Sequence, residues 1–311
     1  MLKIVAHGRA SRSCRVLLDF DTPAFIIKGV YAPPNAARAA VFARRACQAI
    51  SPPAALRRRA KKHQKGNAMN KTSAAPHPVL GVLGGIGPMS TVYFYEMITA
   101  HTKAEKDQDH LDIVISSRAT TPDRSAYILG ESNDDPFSVM ERDAEMLVRY
   151  GATVLAIPCN TAHYFYDRLQ RSLPVPVLNM IQLTVRTAKA GGCQKLGILA
   201  TSGTVASCSY QRMCAAEGIG CAVPSEADQA ALMNTIIYGQ IKSGKPVDLE
   251  LFGRIADGLK AQGCQKAVLG CTELSLIKRD YGLDDFFIDS TEVLAKATIE
   301  ACGKTPVGFD F

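Results

Sequence analysis

No stretch of about 18 consecutive apolar residues occurs in this chain, which excludes a membrane-spanning helix. No Cys-x-x-Cys pair occurs either, so a zinc ribbon or a thioredoxin-type redox site has no support. The one glycine-dense loop, Gly84 to Gly87, lacks both G-x-G-x-x-G and a Gly-Lys-Ser/Thr ending, and a nucleotide cradle is a weak reading of it. Glycine there is expected to let backbone approach a substrate. Ten cysteines in 311 residues are too few for a small disulfide scaffold, and 47% hydrophobic residues are too many for a disordered chain.

Acidic residues are scarce in one place only. Residues 1–68 contain no Glu and only Asp19 and Asp21 against 14 Lys and Arg, a charge of +12. The remainder holds 22 Lys and Arg against 27 Asp and Glu, a charge of −5. The overall +7 therefore belongs to the front, and the mildly acidic body gives no ground for a nucleic-acid partner. The front also carries two proline pairs, Pro33-Pro34 and Pro52-Pro53, beside one short apolar strand candidate (25–30) and one basic helix candidate (36–49). Three readings are open: translation starting at Met69, an organellar targeting peptide, or a basic tail. The first is favoured, and residues 1–75 are taken as an extension that is disordered or not native.

From Val79 onward, short apolar runs alternate with helix-length amphipathic stretches. Strands are expected at 79–83, 113–116, 154–157, 177–179, 196–199, 267–269 and 287–289. Helices are expected at 89–102, 136–150, 161–172, 184–190, 204–217, 226–243, 248–262 and 291–302. This alternation predicts an α/β protein with parallel sheets. An internal repeat sharpens it: Leu80-Gly-Val-Leu-Gly-Gly-Ile-Gly87 parallels Leu196-Gly-Ile-Leu-Ala-Thr-Ser-Gly203, while Gly151 precedes Cys159, and Gly263 precedes Cys271, by the same interval. Two similar doubly wound parallel-sheet domains follow, 76–179 with 291–303 and 180–290. Ligands bind beyond the carboxyl ends of parallel strands, so the active site is expected in the cleft between them, with one Cys on each wall.

Two motifs carry the chemistry. Pro158-Cys159-Asn160-Thr161-Ala162-His163 and Gly270-Cys271-Thr272-Glu273-Leu274 each follow a strand and open a helix. A thiol at a helix N-terminus is placed where N–H groups and the dipole favour the thiolate. Asn160, Thr161 and Thr272 could cap those helices or donate to a bound carboxylate. Standing alone, each Cys would read as a core residue at a strand end; the matched contexts change that reading. His163 and Glu273 are expected to orient or tune the thiols. Cys193, Cys208, Cys214, Cys221, Cys264 and Cys302 are read as small buried or loop residues.

The paired motifs, in this order and spacing, resemble the aspartate/glutamate racemase superfamily, and its aspartate racemase branch in particular. Gly84-Gly85-Ile86-Gly87-Pro88 is similar to that branch's opening loop, Pro122-Asp123-Arg124 to its substrate loop, and the stretch from Ser225 to Gly244 to a further segment. The likeness implies cofactor-independent racemisation by two bases, Cys159 and Cys271, one removing the α-proton as thiolate and the other returning a proton to the opposite face. It implies that Arg124 and Lys242 hold an acidic substrate, most simply aspartate, where a surface-charge reading would leave both solvated. Alternatives are a glutamate or broad-specificity racemase, a maleate isomerase-like enzyme, or a non-catalytic binder. A homodimer is expected by analogy. A reducing, cytoplasmic compartment suits eight cysteines in the body. No metal and no cofactor is called for.

Overall fold

The computed structural model describes residues 77–309. The strand and helix expected within residues 1–75 lie outside that range, as does the rest of the basic front.

The first half builds a three-stranded parallel sheet. Strand β1 (Val79–Gly84) leads through α1 (Pro88–Ala100) and a 3₁₀ turn (Asp107–Asp109) to β2 (Asp112–Ser117). Short α2 (Arg124–Ile128) and long α3 (Pro136–Arg149) follow, then β3 (Val154–Ala156). The strand order is β2-β1-β3, with Leu80 paired to Ile113 on one side and Val154 on the other. A five-residue 3₁₀ turn (Thr161–Phe165) runs directly into α4 (Tyr166–Ser172). Proline at the first helical position opens both α1 and α3, where its missing N–H costs nothing.

Helix α5 (Met180–Ala190), capped by Asn179 on the Gln182 N–H, leads to the second sheet. There β4 (Lys195–Ala200), α6 (Ser202–Ala206), α7 (Ser209–Glu217), β5 (Gly220–Ala222), α8 (Glu226–Ala231), a ten-residue π-helix (Leu232–Ile241), α9 (Leu249–Ala261), β6 (Lys266–Gly270), α10 (Leu274–Tyr281) and β7 (Phe287–Asp289) succeed one another, and α11 (Ser290–Ala301) closes the fold. All pairings are parallel, in the order β5-β4-β6-β7.

Two parallel sheets flanked by helices are what the alternating pattern demanded. The inner strands are apolar runs buried on both faces, as in Leu196 to Ala200, whereas the edge strands β2 and β5 are partly exposed. Helices α5 and α11 stand between the sheets. Met180, Leu294 and Ile299 pack with Leu80 and Phe94 of the first sheet's layer, while Ile181, Val185 and Val293 pack with Leu196 and Ile198 of the second. Burying these side chains removes most of each from water, worth about 1.5–3 kcal/mol apiece.

Several expectations need correction. The strand expected at 177–179 is reduced to one bridge, Val177 to Leu155, because the chain turns at once into α5. The helix expected over 204–217 is broken at Cys208, whose φ of 53° is left-handed and cannot continue a helix. The helix expected over 226–243 changes from α to π at Leu232. Strand β5 and helix α2, both short, were not anticipated, while α10 is the helix that the second cysteine motif was expected to open.

Candidate functional site

Both strands that end in a cysteine deliver it to one cavity. The lining includes Arg124, Cys159, Asn160, Thr161, Lys242, Cys271, Thr272 and Glu273, eight of the nine residues singled out in the sequence, with Ile86, Asp123, Ser125, Thr201 and Tyr238 beside them. Cys159 follows β3 of the first sheet and Cys271 follows β6 of the second. The cavity measures about 20 Å³, room for roughly one water molecule. A ligand larger than water must therefore enter through a wider state.

His163 is the exception and lies behind the wall. Its Nε2 accepts the Met180 N–H at 3.0 Å, so its proton resides on Nδ1, which donates to the Cys159 carbonyl at 2.8 Å. Burial lowers its pKa and keeps the ring neutral. His163 thus pins the Cys159 backbone to the start of α5.

The side chain of Asn160 is largely committed. Its amide donates to Ser290 Oγ at 3.0 Å and its carbonyl accepts from the Tyr210 hydroxyl at 2.6 Å. Thr161 Oγ1 joins Thr201 and Thr204 at 2.9 and 3.0 Å. These bonds tie the loop after β3 to the second sheet's layer. The expected capping role fails for Asn160, whose side chain caps nothing, and the element that follows is a short 3₁₀ turn without a long helix dipole. Thr272 lies before α10 and donates to Glu273 Oε2 at 3.5 Å, a long contact.

At the second thiol the expectation of a dipole-stabilised thiolate is overturned. Cys271 is buried and donates to Glu273 Oε2 at 2.9 Å, and α10 begins only at Leu274. Burial, then the Glu273 carboxylate, push the Cys271 thiol well above its ordinary value. In this state Cys271 is a proton donor.

Glu273 also faces a cation, with Oε1 at 3.1 Å from Lys242 Nζ. Lys242 lies 5.0 Å from the centre of the Tyr238 ring. Burial would lower its pKa, but Glu273 and Cys271 raise it, so the ammonium stays charged. Neither Lys242 nor Arg124 is a plain surface charge. Arg124 Nη1 donates to the carbonyls of Pro122 (2.9 Å) and Thr121 (3.3 Å), while its Nε is buried without a partner. A buried, unpaired guanidinium N–H is costly and suits an incoming carboxylate.

The glycine loop packs closely on its neighbours. A side chain at Gly85 (φ 81°) would meet the Arg118 backbone at 2.1 Å, and one at Gly87 (φ 80°) would meet Glu273 Oε1 at 2.8 Å. These glycines let the loop pass close to neighbouring protein, and Ile86 between them lines the cavity.

Chain 83–298 matches the family model for Asp/Glu/Hydantoin racemase. The chain belongs to that family. Membership makes it a racemase-class isomerase, with an amino acid as the small-molecule substrate. The "Broad specificity amino-acid racemase RacX" of Bacillus subtilis (strain 168) is 27% identical over 225 residues, 71% of this chain and 96% of that protein. The glutamate racemase of Corynebacterium diphtheriae is 30% identical over 167 residues, 50% of this chain and 62% of its own. The solved "Picrophilus torridus aspartate racemase" superposes with a TM-score of 0.64 at 29% identity, covering 74% of this chain and 96% of that one.

Among the described residues no helix is long and apolar enough to cross a membrane, and no group of three or more His, Cys, Asp or Glu side chains is placed to hold a metal ion. Of the cavity residues not anticipated, Thr201 takes the place in the second repeat that Gly85 takes in the first, and that alignment could have marked it. Asp123 and Ser125 flank Arg124 directly. Tyr238 stands four residues before Lys242 and had no signal of its own.

Proposed function

We propose that this racemase acts on an acidic amino acid, most simply aspartate, by two-base proton transfer at Cα between Cys159 and Cys271. The observation that carries the reading is the shared cavity: two thiols from equivalent strand ends of two sheets line it together with a buried, unpartnered guanidinium N–H. In one direction Cys159, as thiolate, takes the α-proton, and the Cys271 thiol gives its proton to the opposite face. The enzyme then holds a Cys159 thiol and a Cys271 thiolate, ready for the other enantiomer. Each step moves one proton, and no other bond breaks.

Arg124 and Lys242 supply cations for the two carboxylates, and Thr161, Thr272 and the remaining Asn160 amide hydrogen are donors for the charge that develops on the α-carboxylate. Glu273 holds the Cys271 proton in place, and His163 fixes the Cys159 backbone. This chemistry calls for no pyridoxal phosphate. Eight free cysteines among the described residues suit a cytoplasmic setting.

Solvent deuterium entering Cα of L- or D-aspartate, without added pyridoxal phosphate, tests the reading. Exchange with both enantiomers is expected, and Cys159→Ala and Cys271→Ala should each abolish racemisation. Aspartate binding without exchange would favour a non-catalytic binder, and full racemisation by either variant would defeat the two-base scheme.

A further inference from the structure

Two buried hydroxyls, Tyr210 on α7 and Ser290 at the start of α11, lie between the two strand ends that carry the thiols. Ser290 Oγ donates to the Leu269 carbonyl at 2.7 Å, two residues before Cys271. The same oxygen accepts from the Asn160 amide at 3.0 Å, one residue after Cys159. One serine thus joins the end of β6 to the loop after β3. Tyr210 makes the same crossing with a larger side chain. Its hydroxyl donates to Asn160 Oδ1 at 2.6 Å, and its ring packs on Gly270, where a side-chain carbon would lie 3.3 Å from Tyr210 Cε2.

The protons of this cluster follow from counting. A hydroxyl has one proton to give. Ser290 spends its own on Leu269, so toward Asn160 it can only accept, and the amide nitrogen must face it. The Asn160 carbonyl then faces Tyr210, which supplies the proton. Burial raises the pKa of the Tyr210 hydroxyl and keeps that proton on its oxygen. With the Asn160 amide turned over, its carbonyl would face the Ser290 oxygen with no proton between them, and the short bond from Tyr210 would lose its carbonyl. One orientation survives. It leaves the second hydrogen of the amide nitrogen for the cavity that Asn160 lines.

We propose that Tyr210 and Ser290 are positioning residues for racemisation: together they hold the Cys159 and Cys271 loops at a fixed separation and set the Asn160 amide so that an N–H, not a carbonyl, meets the substrate carboxylate. The inference rests on the two-thiol reading and adds the parts that keep the two bases in register. Neither residue lines the cavity, so both act through Asn160 and the strand ends. Register matters because inversion requires the second thiol to reach the opposite face of Cα once the first has taken the proton. Where it does not reach, a proton returns on the face that lost one.

The test follows L-aspartate in deuterium oxide with the full chain, unmodified and as Tyr210→Phe and Ser290→Ala. Two products are counted: deuterated D-aspartate from inversion, and deuterated L-aspartate from return on the same face after the thiol has exchanged with solvent. In each variant kcat for inversion should fall about tenfold or more with KM changed less than about twofold, and the ratio of same-face return to inversion should rise about threefold or more. Urea denaturation is measured alongside. Lower stability with an unchanged kcat and an unchanged ratio would overturn the proposal and make both residues purely structural. Should one variant fail to fold, the other carries the same comparison. An unmodified protein that neither inverts nor exchanges aspartate would overturn the racemase reading itself, and the positioning role with it.

Discussion

Glu273 is asked to do two things with one carboxylate. Its Oε2 accepts from the Cys271 thiol and its Oε1 neutralises Lys242. The charge beside the thiol keeps the proton on sulfur, and the same charge keeps a lysine protonated within the cavity wall. Replacing Glu273 by Gln retains an acceptor for the thiol and deletes the charge. The Cys271 thiol should then ionise at lower pH, because a repelling carboxylate is gone and the Lys242 ammonium is unopposed. The basic limb of the pH–rate profile should move down, and thiolate absorbance should rise at lower pH. An unmoved limb with intact folding would show that Glu273 does not govern this proton. His163 works at the other thiol without any charge at all, as a neutral ring whose two nitrogens hold two backbone segments.

At the level of elements, the loop between β2 and α2 is held at its base. Arg118 pairs with Asp143 of α3 through Nε at 2.6 Å and Nη2 at 2.7 Å, and Ser116 adds a bond at 2.9 Å. Asp143 is buried, and although burial raises its pKa, these partners hold it below the usual carboxylate range. The Arg118 carbonyl accepts from both the Thr121 N–H and its hydroxyl, and the Thr121 carbonyl accepts from Arg124. A chain of polar contacts thus runs from α3 to the side chain that faces the cavity. Arg118→Ala removes its first link and leaves a buried carboxylate without its cation. Stability should fall by about 1–3 kcal/mol in urea denaturation. If Arg124 holds the substrate carboxylate as proposed, KM for aspartate should rise about fivefold or more with a smaller change in kcat, since that contact is loosened and the thiols are not touched. A loss of stability with unchanged KM would make Arg118 a purely structural residue. On the facing side, Tyr238 and Lys242 come from a π-helix and its end, a conformation rare in runs of this length and frequent at functional sites.

For the whole molecule, Asp289 links fold stability to pH. It ends β7, is fully buried, caps α11 through the Thr291 N–H and accepts from Ser275, while its second oxygen has no partner. Burial, then the nearby Glu292, push its pKa from 3.8 up to about 6. The folded carboxyl therefore holds its proton more tightly than the unfolded one. The resulting stabilisation is complete below about pH 4 and is lost as the pH rises through about 6. Asp289→Asn keeps the capping oxygen and removes the titration. Above pH 7 the variant should be the more stable by about 1–3 kcal/mol, with the gap closing toward pH 4 in urea denaturation. Parallel stability–pH curves would show that Asp289 contributes none of this slope.

The same whole-molecule scale shows what could be read in advance. Strands such as β1, β4 and β6 are legible because a strand buried on both faces must be apolar throughout, and the Cys-tipped ends of β3 and β6 are legible because parallel strands open toward ligands at the carboxyl end. The partly exposed β5 and the five-residue α2 are not, since neither carries an apolar run or a full helical period. The break at Cys208 and the π-helix after Ala231 follow from packing, which can force a conformation that local propensity would not choose.

Sequence alone therefore determined the layer architecture, the two thiols and the cations near them, through patterns that depend only on neighbouring residues and a repeated strand end. Tertiary structure alone decided how those groups are charged and which are spent. Burial beside Glu273 keeps the Cys271 proton in place, and Ser290 and Tyr210 claim the side chain of Asn160. Protonation and hydrogen-bond commitment are set by what surrounds a group in space: Glu273 is close to Cys271 in the chain, but Lys242, Ser290 and Tyr210 reach their partners from distant segments.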